Sequence, residues 1–504
     1  VNQTVAAWEP AAGRRRWLFP ALLLGGSVAT AAAAIAGNGN VVVATLPVAA
    51  AALLVTVWFV PIRISLLGLV FLGLALDGDG PLDSPVAPLG NLLNLTNLNK
   101  FVPIPALAVP AMTLALGYVL VVHLYRRLSL SRIDEVGRVG FASPMPVAMA
   151  VSVLTVVAEI ANGYRTGGDL QMAKIQVQDF LLLLLVAYLF ASTLRGLRDY
   201  RVLGIVILAA ACSKALMALW VFSAVYPRPA VATSHGDSLL FACATIMLIA
   251  RFAEQPVRRN AMLCLTFLPL LVGAMIANNR RLVWVQVAAT LGTLYFISRR
   301  TPLKRLVTRS VLLALPLVVA YVAVGWNSNA TLFAPVRVFR SVGDADVDAS
   351  TLFRDLENYN LLVTLRANPI IGTGFGQQFN EQVTTPDISF FKEYRYLPHN
   401  SVLGLWCFTG LLGFTGLFMG PVVGVLFAAR SYHWSRVPDQ RAAAFTALGM
   451  VLTYLIHCYG DIGFSERESI FLVGPALAVS GQLAFSTGAW GARPPAPAGM
   501  SGRR

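Results

Sequence analysis

Four short stretches of this chain hold residues suited to chemistry, and they follow one another in order. Arg280 and Arg281 stand side by side in "ANNRRLVW", and Arg354 follows in "DASTLFRDLENYNLLVTLRANP". Gly372, Gly374 and Gly376 alternate in "NPIIGTGFGQQF", and His399-Asn400 closes the series in "YLPHNSV". Such a set combines anion handling with proton movement. A guanidinium is planar, binds two phosphate or carboxylate oxygens at once and does not deprotonate. Imidazole exchanges a proton near neutral pH. Alternating glycines allow unusual backbone angles, so they suit either a tight turn or close approach to a phosphate or a neighbouring helix. A dinucleotide-binding reading of the glycines fails, because they follow a helical pattern and precede none.

Other ionisable residues interrupt apolar runs, where they are functional candidates by default or else members of buried ion pairs. Lys214 lies mid-run in "ACSKALMAL", a candidate substrate contact, and Glu159 and Asp179 lie near the ends of theirs. His123, His433 and His457 read as structural, whereas His235 in "ATSHGDS" is open. Two acidic clusters, Asp77-Asp79-Asp83 and Asp344-Asp346-Asp348, read as metal sites or as ordinary loops. The five cysteines lie in or beside apolar runs with no CxxC, which suggests neither a disulfide framework nor zinc.

The elements that position these residues follow from composition. Of 504 residues, 57% are hydrophobic and 12% charged, and mean hydropathy is +0.67, which excludes a soluble single-core domain. A membrane-crossing helix needs about 20 apolar residues. That length gives fourteen spans: 17–36, 41–60, 64–77, 102–123, 145–163, 179–194, 202–225, 238–251, 261–278, 282–298, 310–326, 401–428, 442–459 and 469–486. The first also resembles a cleavable signal, through three arginines and Ala34-Ile35-Ala36, but it is longer than a usual signal core and is read as retained.

Cytoplasmic loops retain Lys and Arg. With the amino terminus inside, the 39 basic residues divide 25 inside to 14 elsewhere and the 24 acids 6 to 18, a balance of +19 against −4. The formal charge of +15 is therefore a topology signal and not a nucleic-acid signal. Both termini fall in the cytoplasm. Residues 1–326 form a transmembrane bundle of about eleven helices, 327–400 one long external segment, 401–486 about three further spans, and 487–504 a cytoplasmic tail.

Within the long segment, Leu352, Leu356, Tyr359 and Val363 recur near helical spacing, with Asp348, Ser350 or Thr351 as N-cap and Asn368-Pro369 as stop. This predicts an amphipathic helix of about sixteen residues, its apolar side against lipid or the bundle. Arg366 complements the dipole in the last turn, while Arg354 in the first turn opposes it, which points to function.

Taken in order, the arginine pair, the Arg-opened helix, "NPIIGTGFGQQF" and "HNSVLGLWCFTGLLGFTGL" resemble the O-antigen ligase and O-antigen polymerase superfamily, over residues 265 to 430. The resemblance implies an all-α integral membrane protein of the GT-C type. It implies a glycosyltransferase, independent of metal and cofactor, at the outer face of the bacterial inner membrane. Its substrates would be an undecaprenyl-pyrophosphate-linked glycan donor and a glycan or lipid-linked acceptor, with membrane lipids around it and a flippase or chain-length regulator as partners. Arg354, His399 and Arg281 or Arg280 would be the functional trio, the arginines stabilising the departing pyrophosphate and His399 taking the acceptor proton or orienting a substrate. Asn400 would fix the ring or cap the helix. The sequence departs from the family in "NNRRL" and in exceeding twelve spans. Polymerisation is slightly preferred to ligation; a peptidoglycan-type glycan polymerase using Asp355 or Asp387, and a transporter coupled through Lys214, Glu159 and Asp179, are the alternatives.

Overall fold

The computed structural model describes residues 41–76, 109–129, 139–225, 231–328, 349–385 and 393–491, with a few isolated positions between. Among the described residues there are fourteen α-helices and no β-strand. The first six are α1 (Val41–Phe59), α2 (Ile62–Ala75), α3 (Ala111–Leu128), α4 (Pro144–Arg165), α5 (Leu170–Thr193) and α6 (Leu197–Ala224). Then follow α7 (Asp237–Glu254), α8 (Arg258–Asn278), α9 (Arg281–Ile297), α10 (Pro302–Gly325) and α11 (Ala349–Ala367). The last are α12 (Ser401–Trp434), α13 (Pro438–Gly460) and α14 (Arg467–Ser486). Each predicted span from 41–60 onward falls on one of these helices. Most of the first span lies outside the described residues, and so do the tail from 492, Asp387 and both acidic clusters.

The boundaries differ from hydropathy where a local signal is stronger. Helix α5 begins at Leu170 rather than 179, because the Asp169 carboxylate accepts hydrogen bonds from the amides of Gln171 and Met172 and so starts the helix in polar sequence. Helix α3 begins directly after Pro110, which lacks an amide hydrogen to donate.

Eight of the helices are long and apolar enough to cross a membrane. Their outward faces stay apolar: Leu313, Leu317 and Val324 of α10 are 78%, 74% and 69% exposed. A belt of that kind needs lipid as its solvent, and the chain is a multi-pass membrane protein. Helix α14 is the most enclosed, packed against α5, α12 and α13, and its buried polar groups find partners inside the bundle. Gln482, for example, accepts from the Tyr200 hydroxyl at 2.9 Å and donates to the Ala191 carbonyl at 3.1 Å.

Helix α12 is broken at Gly410, whose φ of 58° and ψ of −171° leave the helical region. The break frees backbone groups, and the glycine loop takes them up. The Gly374 amide donates to the Phe408 carbonyl at 2.7 Å, while the Leu411 and Leu412 amides donate to the Pro369 and Ile370 carbonyls. The same loop seals against α4, where the Phe375 amide donates to the Glu159 carbonyl at 3.0 Å. Gly374 has φ +86°, and a Cβ there would lie 2.1 Å from the Gly163 amide nitrogen. Glycine is required at this position because two backbones touch.

Candidate functional site

The α8–α9 hairpin is as tight as the sequence suggests. Asn279 ends α8 in the left-handed region at φ 51°, and Arg280 is the N-cap of α9. The buried Asn278 side chain fixes the hairpin by accepting from the Thr233 amide at 3.1 Å and donating to the Ser234 carbonyl and the Ser238 hydroxyl. Arg280 is half-buried and Arg281, in the first turn of α9, is exposed.

Helix α11 is found, but it begins at Ala349, so Arg354 sits in its second turn. The face that packs on the protein is a more polar one than the apolar spacing marks. Leu352 and Tyr359 are exposed, whereas Glu357, Asn360, Leu361 and Thr364 are buried. The polar members of this face are paid for by partners beyond the helix. Asn360 accepts from the amides of Gln382 and Val383 and donates to the Val383 carbonyl, and Thr364 accepts from the Asn380 amide at 2.8 Å. Hydrophobic spacing located the helix but not the side that docks, because polar docking leaves no apolar period.

Glu357 is the most consequential of these residues. Its carboxylate, 1% exposed, accepts from the His399 amide at 3.0 Å through Oε2 and from His399 Nδ1 at 3.2 Å through Oε1. A carboxylate can only accept when ionised, so Nδ1 carries the hydrogen and Nε2 of a neutral ring keeps its lone pair. The ring also stands edge-on to Phe353 at 5.4 Å. Asn400 does what a cap does, accepting from the Leu403 amide at 3.0 Å, and it also donates to Asn358 Oδ1 on α11 at 3.1 Å.

These pieces surround a cavity of about 380 Å³ lined by Arg280 and Arg281, by Arg354, Asp355 and Asn358 of α11, by Asn400, and by His235, His457 and Asp461. His399 is not among the lining residues; it adjoins the cavity through its chain neighbour Asn400. Among the described residues Arg354 makes no hydrogen bond or ion pair. Three guanidinium groups from two separate elements thus meet two carboxylates, Asp355 and Asp461, an arrangement that suits a polyanionic ligand.

The sequence left His235 open and did not single out Asp461. Burial alone would raise the Asp461 carboxyl; the hydrogen bond from His235 and the positive field of Arg354 override it and hold it well below the usual range. His457 is buried, and its Nδ1 accepts from Gln286 Nε2 at 2.6 Å. A lone histidine among loop residues and an aspartate after a Tyr-Gly pair carry no local signal that would have found them.

Four expected substrate contacts stand elsewhere. Gly372, Gly374 and Gly376 lie in the splice between α4 and α12, and their surroundings are backbone: a Cβ on Gly372 would meet the Phe408 carbonyl, and one on Gly376 the Asp169 carbonyl. The Gly376 amide donates to Gln176 Oε1 at 2.6 Å. Amides spent in this way are not available to cradle a phosphate. Lys214 is fully buried and pairs with Asp237 at 3.2 Å, away from the cavity. A slightly larger cavity of about 410 Å³ lies toward the opposite end of the bundle, among Leu203, Ile207, Met247 and Met450, and holds none of the predicted site residues.

No group of three or more His, Cys, Asp or Glu placed to hold a metal ion occurs among the described residues. Residues 265–418 match the family described as O-antigen ligase. A search of curated proteins finds no match.

Proposed function

Taking a multi-pass membrane protein that carries an O-antigen ligase match, we propose that this chain transfers or polymerises undecaprenyl-pyrophosphate-linked oligosaccharide during surface polysaccharide assembly. The observation that supports it most is the meeting of Arg280, Arg281 and Arg354 in one cavity beside the Glu357-supported His399. In this reading Arg354 and one arginine of the hairpin, Arg280 or Arg281, hold the pyrophosphate of the lipid-linked donor. As the bond from the anomeric carbon to the pyrophosphate oxygen breaks, negative charge grows on that oxygen, and fixed cations lower the barrier because they need not reorganise. The acceptor hydroxyl attacks the anomeric carbon, and its proton passes to His399 Nε2, the ring nitrogen that Glu357 leaves unprotonated. Asn400 holds α12 to α11 so that the two halves of the site keep their spacing.

The cavity end faces the periplasm of the inner membrane and both termini face the cytoplasm. Residues 1–326 and 401–486 form the membrane part, 327–400 the periplasmic segment whose helix α11 carries Arg354, and 487–504 the tail. Polymerisation is slightly favoured over ligation, since no residue of the site specifies a lipid-core acceptor; no metal takes part. The transporter alternative draws no support from Lys214, Glu159 and Asp179. Lys214 is tied to Asp237, Asp179 lies 3.9 Å from Arg467, and Glu159 accepts from Asn162, so the three form no continuous path.

Arg354→Ala and His399→Ala test the reading in cells lacking the native gene, once membrane insertion is confirmed. Single repeat units still exported and attached, with chain growth lost, identify a polymerase. Long lipid-linked chains left unattached identify a ligase. Normal surface glycan in both variants refutes the proposal.

A further inference from the structure

Beside the neighbouring Glu357–His399 pair, the cavity lining holds a carboxylate–imidazole pair of its own, and this one ends on an arginine. His235 Nδ1 lies 2.9 Å from Asp461 Oδ2, and the other ring nitrogen, Nε2, contacts Arg280 Nη2. The hydrogen positions follow from chemistry. A guanidinium can only donate, so Nε2 of His235 accepts, and Nδ1 therefore carries the hydrogen and donates to Asp461. The ring is neutral, and its orientation is set at both ends.

Each member is fixed by its own neighbourhood. Asp461 follows α13, where its Oδ1 accepts from the Ile462 amide at 2.9 Å and its carbonyl accepts from Ser401 Oγ at 3.1 Å. His235 lies in the segment that Asn278 pins to the end of α8. Arg280 is two residues beyond Asn278, so one asparagine holds both the imidazole and the start of the arginine's hairpin. Arg280 has one donor committed to His235, while its buried Nε hydrogen has no acceptor among the described residues. A buried charged donor without an acceptor is costly unless a ligand supplies one. Arg354 opposes the charge on Arg280 and Asp461 favours it, which places all three groups within one field. Arg281, one residue on, is exposed.

From this geometry we infer that His235 and Asp461 are positioning residues that aim Arg280, and that Arg280 rather than Arg281 is the hairpin cation that binds the donor's pyrophosphate. The inference rests on the function proposed above. Phosphate oxygens on Arg280 would satisfy its Nε while Nη2 stays on His235, so the guanidinium is held ready before the ligand arrives and less freedom is lost on binding.

The test is binding of undecaprenyl pyrophosphate to the full chain in lipid nanodiscs. This readout does not depend on His399 moving a proton. Arg280→Ala and His235→Ala should each weaken binding by about tenfold, the scale of one lost charge-assisted hydrogen bond. The double variant should bind no worse than Arg280→Ala alone, because both changes remove one path. His235→Gln should stay within about threefold of the wild type, since its amide can accept from Arg280 and donate to Asp461. Arg281→Ala should stay within the same range. If His235→Ala does not elute as a monodisperse protein, Asp461→Asn serves in its place with the same expected loss. Additive losses in the double variant, or normal binding in His235→Ala or Asp461→Asn, overturn the relay, and so does an Arg281→Ala loss equal to that of Arg280→Ala. The two levels separate through Arg354→Ala. Loss there with normal binding in Arg280→Ala and His235→Ala removes the relay alone, whereas normal binding in all the arginine variants removes the pyrophosphate reading itself.

Discussion

Replacing Glu357 by glutamine exchanges one carboxylate oxygen for an amide NH2 and tests whether His399 moves a proton. The carboxylate accepts from both the backbone amide and the ring Nδ1 of His399, at 3.0 and 3.2 Å. Glutamine offers one acceptor oxygen and one donor amide, so only one of these contacts can remain as it is. With the oxygen toward the ring, the new amide faces a backbone N–H, and two buried donors confront each other at a cost of about 1–3 kcal/mol. With the oxygen toward the backbone, the amide faces the ring, and Nδ1 becomes the acceptor. The ring hydrogen then moves to Nε2. The second arrangement avoids the penalty, so it is favoured by roughly tenfold or more. In that state Nε2 cannot take the acceptor's proton, so the rate should fall by at least that roughly tenfold bias and at most by the 10²- to 10⁴-fold that a general base contributes. Donor binding should be unchanged, because no arginine is touched. Single-turnover rates with saturating lipid-linked glycan, beside donor binding in the same nanodiscs, separate the two effects. A Glu357→Gln rate within about threefold of the wild type, in a protein that binds donor normally, refutes proton transfer by His399 and leaves it an orienting role.

Three further expectations concern the scaffold. Gly374→Ala places a Cβ against the Gly163 backbone at positive φ and should cost about 2–4 kcal/mol, read as a lower thermal midpoint in detergent; Gly117→Ala, with nothing within 4 Å, is the control, and equal midpoints refute the splice. Lys214→Met leaves Asp237 buried without its ammonium partner and should cost about 3–5 kcal/mol, most of it recovered in Lys214→Met/Asp237→Leu; a stable single variant with an inactive double variant would return Lys214 to the site. The Glu381 carboxyl, which accepts from the Thr385 amide, is held below its ordinary value by that bond against the opposing effect of burial. A depressed folded value stabilises above the unfolded pKa of about 4.3 and ceases to do so as pH falls through the folded value. The midpoint difference between wild type and Glu381→Gln should therefore be present at pH 6 and vanish toward pH 3, and a constant difference refutes the assignment.

Hydropathy located the helices well because lipid imposes one requirement on every span, about 20 apolar residues with their backbone bonded internally. It misjudged ends where a side chain or an imino acid decides the matter, as Asp169 does for α5 and Pro110 for α3. It could not show that α12 breaks at Gly410. Glycine is common in membrane helices, and the break depends on a loop some forty residues earlier in the chain supplying the missing hydrogen bonds.

The site was legible where a residue is out of place in its local context. Two arginines at a tight turn and an arginine early in a helix are costly placements, and each of them lines the cavity. The glycines were equally conspicuous, yet their constraint is backbone packing, which leaves the same mark on a sequence as close approach to a phosphate. Glu357, His235 and Asp461 were not legible, for the opposite reason. A glutamate in a polar helix, a histidine in a polar loop and an aspartate at a helix end are all inexpensive until the fold buries or pairs them. The groups that bind charge could be read from their local cost, and the groups that aim them could not, because aiming is a property of contacts between distant segments: Glu357 with His399, and His235 with Asp461 and Arg280.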